Sequence, residues 1–156
     1  MLAQKYQALL DDAARRGVAD VDGIRLCFQL LSCTAAIDRD CAARLAPHGL
    51  SEGRFVLLFL LDGADTPLSP HELADRAGVT RATITGLLDG LARNGLIVRD
   101  SDPHDRRALR IHLTAAGQAL ARTLVLEHTA WIASLFKNLD DDERQQLATL
   151  LTKVMP

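Results

Sequence analysis

Two helix starts, at Ser69 and Thr80, stand eleven residues apart in this 156-residue chain, and two strand-like segments follow them directly. Ser69-Pro70-His71-Glu72 is the first start: Ser69 suits the cap, Pro70 suits the first helical position, and Glu72 can reach back to the cap amide. The helix it opens is short, with Leu73, Ala74 and Ala77 as its apolar positions, and Gly78 ends it. From Thr80 a second helix places Ile84, Leu87, Leu88 and Leu91 at i, i+3, i+4 and i+7 until Asn94-Gly95 stops it. Leu96 to Arg99 reads as a strand. Leu109 to Leu113 alternates apolar and polar residues, as a half-buried strand does. The polar turn 101–107 between them makes a hairpin with a charged tip.

Helix, helix, strand, basic turn, strand is the order of a winged helix-turn-helix. Longer helical patterns flank it. Tyr6, Leu9, Leu10, Ala13 and Ala14 form a helical stripe closed by Gly17, and a long helix is expected from about Val21 to Ala46, stopped by Pro47 and Gly49. Ser51 opens a helix with Phe55, Leu58, Phe59 and Leu61 facing inward. Thr114 caps a long helix with two stripes, one of Leu120, Leu124, Trp131 and Leu135, the other of Leu126, Ala130, Ala133 and Phe136. A helix apolar on more than one side must be covered on more than one side, which implies a partner subunit. The last helix begins at Asp140 with Glu143 as its capping-box partner and carries Leu147, Leu150, Leu151 and Val154. The expected fold is mainly α with a small β wing, an α+β chain. It is a single domain over 1–156, with a winged helix-turn-helix at 51–113 and dimerisation helices at 2–48 and 114–155.

Apolar residues make up 48% of the chain and charged residues 24%, the profile of a soluble globular protein. The longest purely apolar run, Phe55 to Leu61, is far too short to span a bilayer, and the N-terminus lacks the apolar region of a signal peptide. No membrane partner is expected, and the expected location is the cytoplasm. Cys27, Cys33 and Cys41 are odd in number and share one helix, so an intrachain disulfide framework is implausible. Net charge is −2, yet the span from Arg76 to His112 carries seven arginines against four aspartates, leaving 11 basic against 16 acidic residues elsewhere. Such asymmetry is expected of a segment that meets phosphates, although charge alone equally describes a solvated face.

The second short helix buries Ile84, Leu87, Leu88 and Leu91 and shows Arg81, Ala82, Thr85, Gly86, Asp89 and Arg93 on its other face. Small residues let such a helix approach base edges in the major groove of double-stranded DNA. Thr83 and Thr85 can donate or accept hydrogen bonds there, and Arg81 can contact guanine or phosphate. At the hairpin tip Arg106 and Arg107 have the reach to enter a narrow minor groove, and Asp105 can orient one of them.

The segment from Leu73 to Thr85, then Leu91-Ala92-Arg93-Asn94-Gly95-Leu96-Ile97, then Asp102-Pro103-His104-Asp105-Arg106-Arg107, then Leu113-Thr114-Ala115-Ala116-Gly117 resembles the MarR family of transcription regulators. The resemblance covers essentially the whole chain. It implies a homodimer on a pseudo-palindromic operator, usually repressing, with a signal that alters the spacing of two reading heads. By position it implies that Thr80, Arg81, Thr83 and Thr85 face DNA and that Arg107 is the minor-groove arginine, with Asp105 beside it. With Ser69, Arg93 and Arg106 these complete the candidate DNA contacts.

Leu26-Cys27-Phe28 resembles the branch of that family that senses organic hydroperoxides, which implies oxidation of Cys27 to a sulfenic acid and then to a disulfide. That branch sets tyrosines around its cysteine, whereas Leu31 and Cys41 stand at two of those positions and Tyr6 is the only tyrosine here. Within one helix Cys27 and Cys33 lie about 600° apart in rotation, and Cys27 and Cys41 roughly 21 Å apart in rise, so any disulfide needs another subunit or a small thiol. The alternative is that Cys27 is a small buried apolar residue. A second kind of effector is a small aromatic or lipophilic molecule, with Phe28, Leu31, His48, Arg54, Phe55 and Phe59 as candidate pocket residues. The rival functions are a helical interaction module without DNA binding and a small enzyme. The chain has no Gly-rich phosphate loop, no Gly-x-Ser-x-Gly elbow and no His pair at i, i+4. Neither catalysis, nor a cofactor, nor a metal is expected.

Overall fold

The computed structural model describes residues 3–101 and 109–154. They form seven helices and one hairpin: α1 (Gln4–Arg15), α2 (Val21–Leu45), α3 (Glu52–Asp62), α4 (Pro70–Ala77), α5 (Arg81–Arg93), β1 (Ile97–Ser101), β2 (Leu109–Leu113), α6 (Ala115–Ser134) and α7 (Asp141–Val154). A 3-10 turn, Ala46–His48, follows α2 where Pro47 forbids further helix. The chain divides into two compact units, residues 1–52 and 53–156.

In the first unit α1 and α2 lie side by side. Asp20 starts α2 by accepting a hydrogen bond from the Gly23 amide at 2.8 Å, and Tyr6 of α1 stacks on Phe28 of α2 with ring centroids 4.6 Å apart. The buried positions of α2 are Cys41 and Leu45, both near its C-terminal end.

The second unit holds the 51–113 segment almost whole, together with α6 and α7. Its core is aliphatic: Leu57, Leu58, Leu73, Ile84, Leu91 and Ile111 are fully buried. Each such side chain contributes about 1.5–3 kcal/mol, against about 0–1 kcal/mol for an exposed ion pair. Apolar burial therefore holds the unit together, and charged contacts can only adjust it. Trp131 closes the core at α6, where His128 lies between the rings of Phe55 (4.6 Å) and Trp131 (4.8 Å).

The helix starts lie where the capping chemistry puts them. Ser69 and Glu72 exchange both bonds of a capping box, Thr80 accepts from Thr83, Thr114 accepts from Gly117, and Asp140 and Glu143 exchange bonds at 3.0 and 2.9 Å. Gly78 joins α4 to α5 at φ +65°, a left-handed conformation in which a side chain would be strained. Strands β1 and β2 pair antiparallel from Ile97↔Leu113 to Ser101↔Leu109.

Two expectations shift, and one pairing is added. Pairing begins at Ile97 rather than Leu96, because the Leu96 amide is already bonded to the Leu91 carbonyl that closes α5 (3.0 Å). Phe59 is 51% exposed, not inward: at about 100° per residue, Phe55, Leu57, Leu58 and Leu61 share one arc of α3 and Phe59 falls beyond its edge. Leu68, unassigned by sequence pattern, adds a bridge to the hairpin, exchanging backbone hydrogen bonds with Ile111 at 3.1 and 2.8 Å.

Candidate nucleic-acid interface

Helix α5 divides sharply between two environments. Ile84, Leu88 and Leu91 are buried and Leu87 is half-buried, which pins the helix to α3 and α4 of the second unit. Arg81, Ala82, Thr83, Thr85, Gly86, Asp89 and Arg93 are exposed on the other side. Nothing lies within 4 Å of where a Cβ on Gly86 would be, so the middle of that face is open backbone.

The threonines are held by local bonds. Thr80 Oγ1 accepts from the Thr83 amide at 3.2 Å and lies 2.9 Å from Thr83 Oγ1. Thr85 Oγ1 donates to the Arg81 carbonyl at 3.1 Å. With its proton committed inside the helix, Thr85 presents outward an acceptor oxygen and a methyl group. Those groups suit the amino edge of adenine or cytosine and the methyl of thymine. The first turn of α5 carries no acidic residue, so no side-chain carboxylate neutralises the positive end of its dipole.

Ser69 is half-buried, and its hydroxyl accepts from the Glu72 amide at 3.2 Å while its own amide donates to Glu72 Oε2 at 2.8 Å. The Ser69 backbone bond, then its hydroxyl, and less strongly the Arg110 guanidinium hold the Glu72 carboxyl below its ordinary pKa. Asp89 does not project freely toward a ligand: it pairs with Arg99 of β1. Arg54, a pocket candidate, is half-buried against the back of α5, where its guanidinium occupies the space that a Cβ on Gly90 would need. The signal for that contact was the glycine itself, since a helix-interior glycine is unfavourable by about 1 kcal/mol unless something uses the missing side chain. Asp105, Arg106 and Arg107 lie outside the described residues.

The pocket candidates are divided between the two units. Phe28 (stacked on Tyr6), Leu31 and His48 belong to the first; Arg54, Phe55 and Phe59 belong to the second, where Phe55 is committed to the core beside His128. Leu31, His48 and Phe59 are exposed. The buried alternative for Cys27 does not hold in this chain: Cys27 and Cys33 are exposed, and Cys41 is the buried cysteine. Burial, followed by the carboxylates of Glu52, Asp38 and Asp40, pushes the Cys41 thiol pKa up, the direction that makes a thiol unreactive. Among the described residues no group of three or more His, Cys, Asp or Glu side chains is placed to hold a metal ion, and no helix is long and apolar enough to cross a membrane.

Comparison with known proteins agrees with this geometry. The model of the MarR family matches residues 48–108. The chain is 36% identical over 148 residues to the HTH-type transcriptional repressor YetL of Bacillus subtilis, covering 94% of this chain and 89% of that one. Among solved structures, the reduced form of MarR from E. coli is 29% identical with a TM-score of 0.65, covering 82% of this chain and 94% of that one. The S. aureus MepR–DNA complex, at 22% identity, shares the fold with a TM-score of 0.72, covering 82% of this chain and 94% of that one.

Proposed function

Because this chain belongs to the MarR family, and so is a DNA-binding transcription regulator rather than an enzyme, we propose that it acts as a repressor: a homodimer that binds a pseudo-palindromic operator and is released by a small effector or by oxidation of Cys27. The observation that carries the reading is the two-sidedness of α5, with Ile84, Leu88 and Leu91 buried and Arg81, Thr83, Thr85, Gly86 and Arg93 exposed. A helix held so firmly on one side can present side chains to base edges without rearranging. Thr80, Arg81, Thr83 and Thr85 face the major groove, Ser69 and Arg93 flank it, and Asp105, Arg106 and Arg107 serve the minor groove. Two α5 helices then read successive major grooves roughly 34–36 Å apart. A signal that favours another spacing weakens both half-sites together, in proportion to its differential affinity for the two arrangements.

The exposure of Cys27 keeps the oxidative route in play alongside a small aromatic or lipophilic ligand. The test is fluorescence anisotropy with DNA from upstream of the protein's own gene, before and after an organic hydroperoxide and then dithiothreitol. Reversible loss of binding that Cys27→Ser abolishes establishes the thiol as the sensor. Binding indifferent to the oxidant assigns release to a ligand. Arg107→Ala is expected to weaken binding, and unchanged affinity at moderate salt removes the minor-groove contact. Thr85→Ala is expected to relax base preference by about 1–3 kcal/mol, whereas a uniform loss across sequences makes it a phosphate contact.

A further inference from the structure

The hairpin is strapped to both helices of the α4–α5 pair. On β1, Arg99 pairs with Asp89 of α5. On β2, Arg110 Nη1 lies 3.2 Å from Glu72 Oε2 at the start of α4, a link across 38 positions of sequence. Beside them runs the backbone bridge between Leu68 and Ile111.

The Glu72 link is unlike the others because one carboxylate oxygen serves two elements. Oε2 accepts from the Ser69 amide at 2.8 Å, completing the cap of α4, and from Arg110 at 3.2 Å, holding β2. Asp100 stands opposite Arg110 in the strand register, while its carboxylate lies 3.4 Å from His112 Nε2 of the same strand pair. The pair is too exposed to matter much for stability, with side chains 37% and 45% exposed, while Leu73 and Ile111 beside it are fully buried. What it sets is direction, since it ties the strand leading out of the hairpin to the first turn of α4. The geometry points to Glu72 and Arg110 as a positioning pair for DNA reading, one that fixes the angle of the hairpin relative to α5 so that both meet the duplex at once. The inference rests on the reading that α5 and the hairpin face DNA.

Two variants separate this role from its rivals. Glu72→Gln keeps an acceptor for the Ser69 amide but removes the charge that holds Arg110. Arg110→Met keeps length and removes the guanidinium. In the full chain, with upstream DNA and well below the melting temperature, each is expected to weaken operator binding about three- to tenfold. The double variant is expected to be no weaker than the singles. Hydroxyl-radical protection should shrink at the edges of the site, Tm should barely move, and Arg110→Lys should recover most of the affinity. If Glu72→Gln binds like the parent while Arg110→Met lowers the salt slope by about one, Arg110 is a phosphate contact and the positioning role is overturned. A fall in Tm with affinity intact makes the pair merely structural and also overturns it. If Thr85→Ala too leaves binding unchanged, the DNA-facing reading fails and takes the inference with it. A Thr85 effect without a Glu72 effect removes the inference alone.

Discussion

A methyl group added to Gly117 would collide with the backbone carbonyl of Leu96, because the first turn of α6 lies directly on the turn between α5 and β1. Thr114 locks that junction: its amide donates to the Leu96 carbonyl at 3.0 Å and its hydroxyl to the Gly95 carbonyl at 2.7 Å, while its oxygen accepts from the Gly117 amide at 3.0 Å. Gly117→Ala gains about 1 kcal/mol of helix propensity. The backbone it strikes cannot swing aside as a side chain can, so the clash decides the sign. A net loss of about 1–3 kcal/mol is expected, read as a lower urea midpoint. Glu72 yields a prediction in pH. Its folded-state pKa is depressed, chiefly by the Ser69 backbone bond, so its stabilisation is present above the unfolded value of about 4.3 and is lost as pH falls through the folded value. Glu72→Gln should flatten that part of the acid limb in denaturant titrations. The effect is reduced by solvent screening, since the side chain is 45% exposed. An unchanged acid limb would show that the bond does not discriminate between the two protonation states.

At the level of elements, short helices survive here because they are capped and because one face is buried. Isolated helices shorter than about 12–15 residues are marginal in water, and α4 has eight residues. Its capping box and the burial of Leu73 and Ala74 supply what length does not. Thr80 does the same for α5, and its hydroxyl also steadies Thr83 on the exposed face. Thr80→Ala is expected to cost about 0.5–2 kcal/mol in thermal unfolding. Thr80→Ser should restore most of it, because only the hydroxyl is needed. Failure of serine to rescue would mean that the threonine methyl, not the cap, carries the effect. The caps were legible in the sequence because each uses residues three apart. The Arg99–Asp89 and Arg110–Glu72 pairs were not, because they join positions ten and 38 apart whose proximity exists only once the hairpin folds back on the helices.

On the scale of the whole molecule, each unit leaves large apolar side chains exposed. Leu26, Leu30 and Leu31 of α2 do so in the first, and Leu126 (74% exposed), Ile132, Phe136, Leu150, Leu151 and Val154 in the second. Between α6 and α7 a groove of about 400 Å³ is lined by Ala133, Phe136, Leu147, Ala148 and Leu151, with Arg144 at its edge donating to the Phe136 carbonyl at 3.2 and 3.3 Å. An apolar groove with exposed large hydrophobic side chains in the same unit is the kind of surface that marks an interaction face, which supports the proposed homodimer. Leu126→Glu with Phe136→Glu is expected to give a monomer by sedimentation equilibrium. Operator affinity should fall steeply, because each reading head then binds alone. A variant that stays dimeric would place the interface elsewhere.

Helix starts, stops and the hairpin were determined by the sequence itself, because caps, the Gly78 and Gly95 turns and the alternation of Leu109 to Leu113 act over a few residues. The helix proposed to face DNA was picked out by the same local pattern. The burial of particular side chains was not. Cys27 carries no sequence mark that separates it from Cys41, and only packing sends one of them inward; Phe59 lies just past the edge of the arc that holds Phe55, and packing decides how far that arc is covered. The close seat of Gly117 on Leu96 and the contact of Arg54 with Gly90 likewise depend on distant backbone arriving at one place. Local hydrogen bonds select the elements, whereas burial and the long-range ion pairs exist only in the assembled tertiary structure.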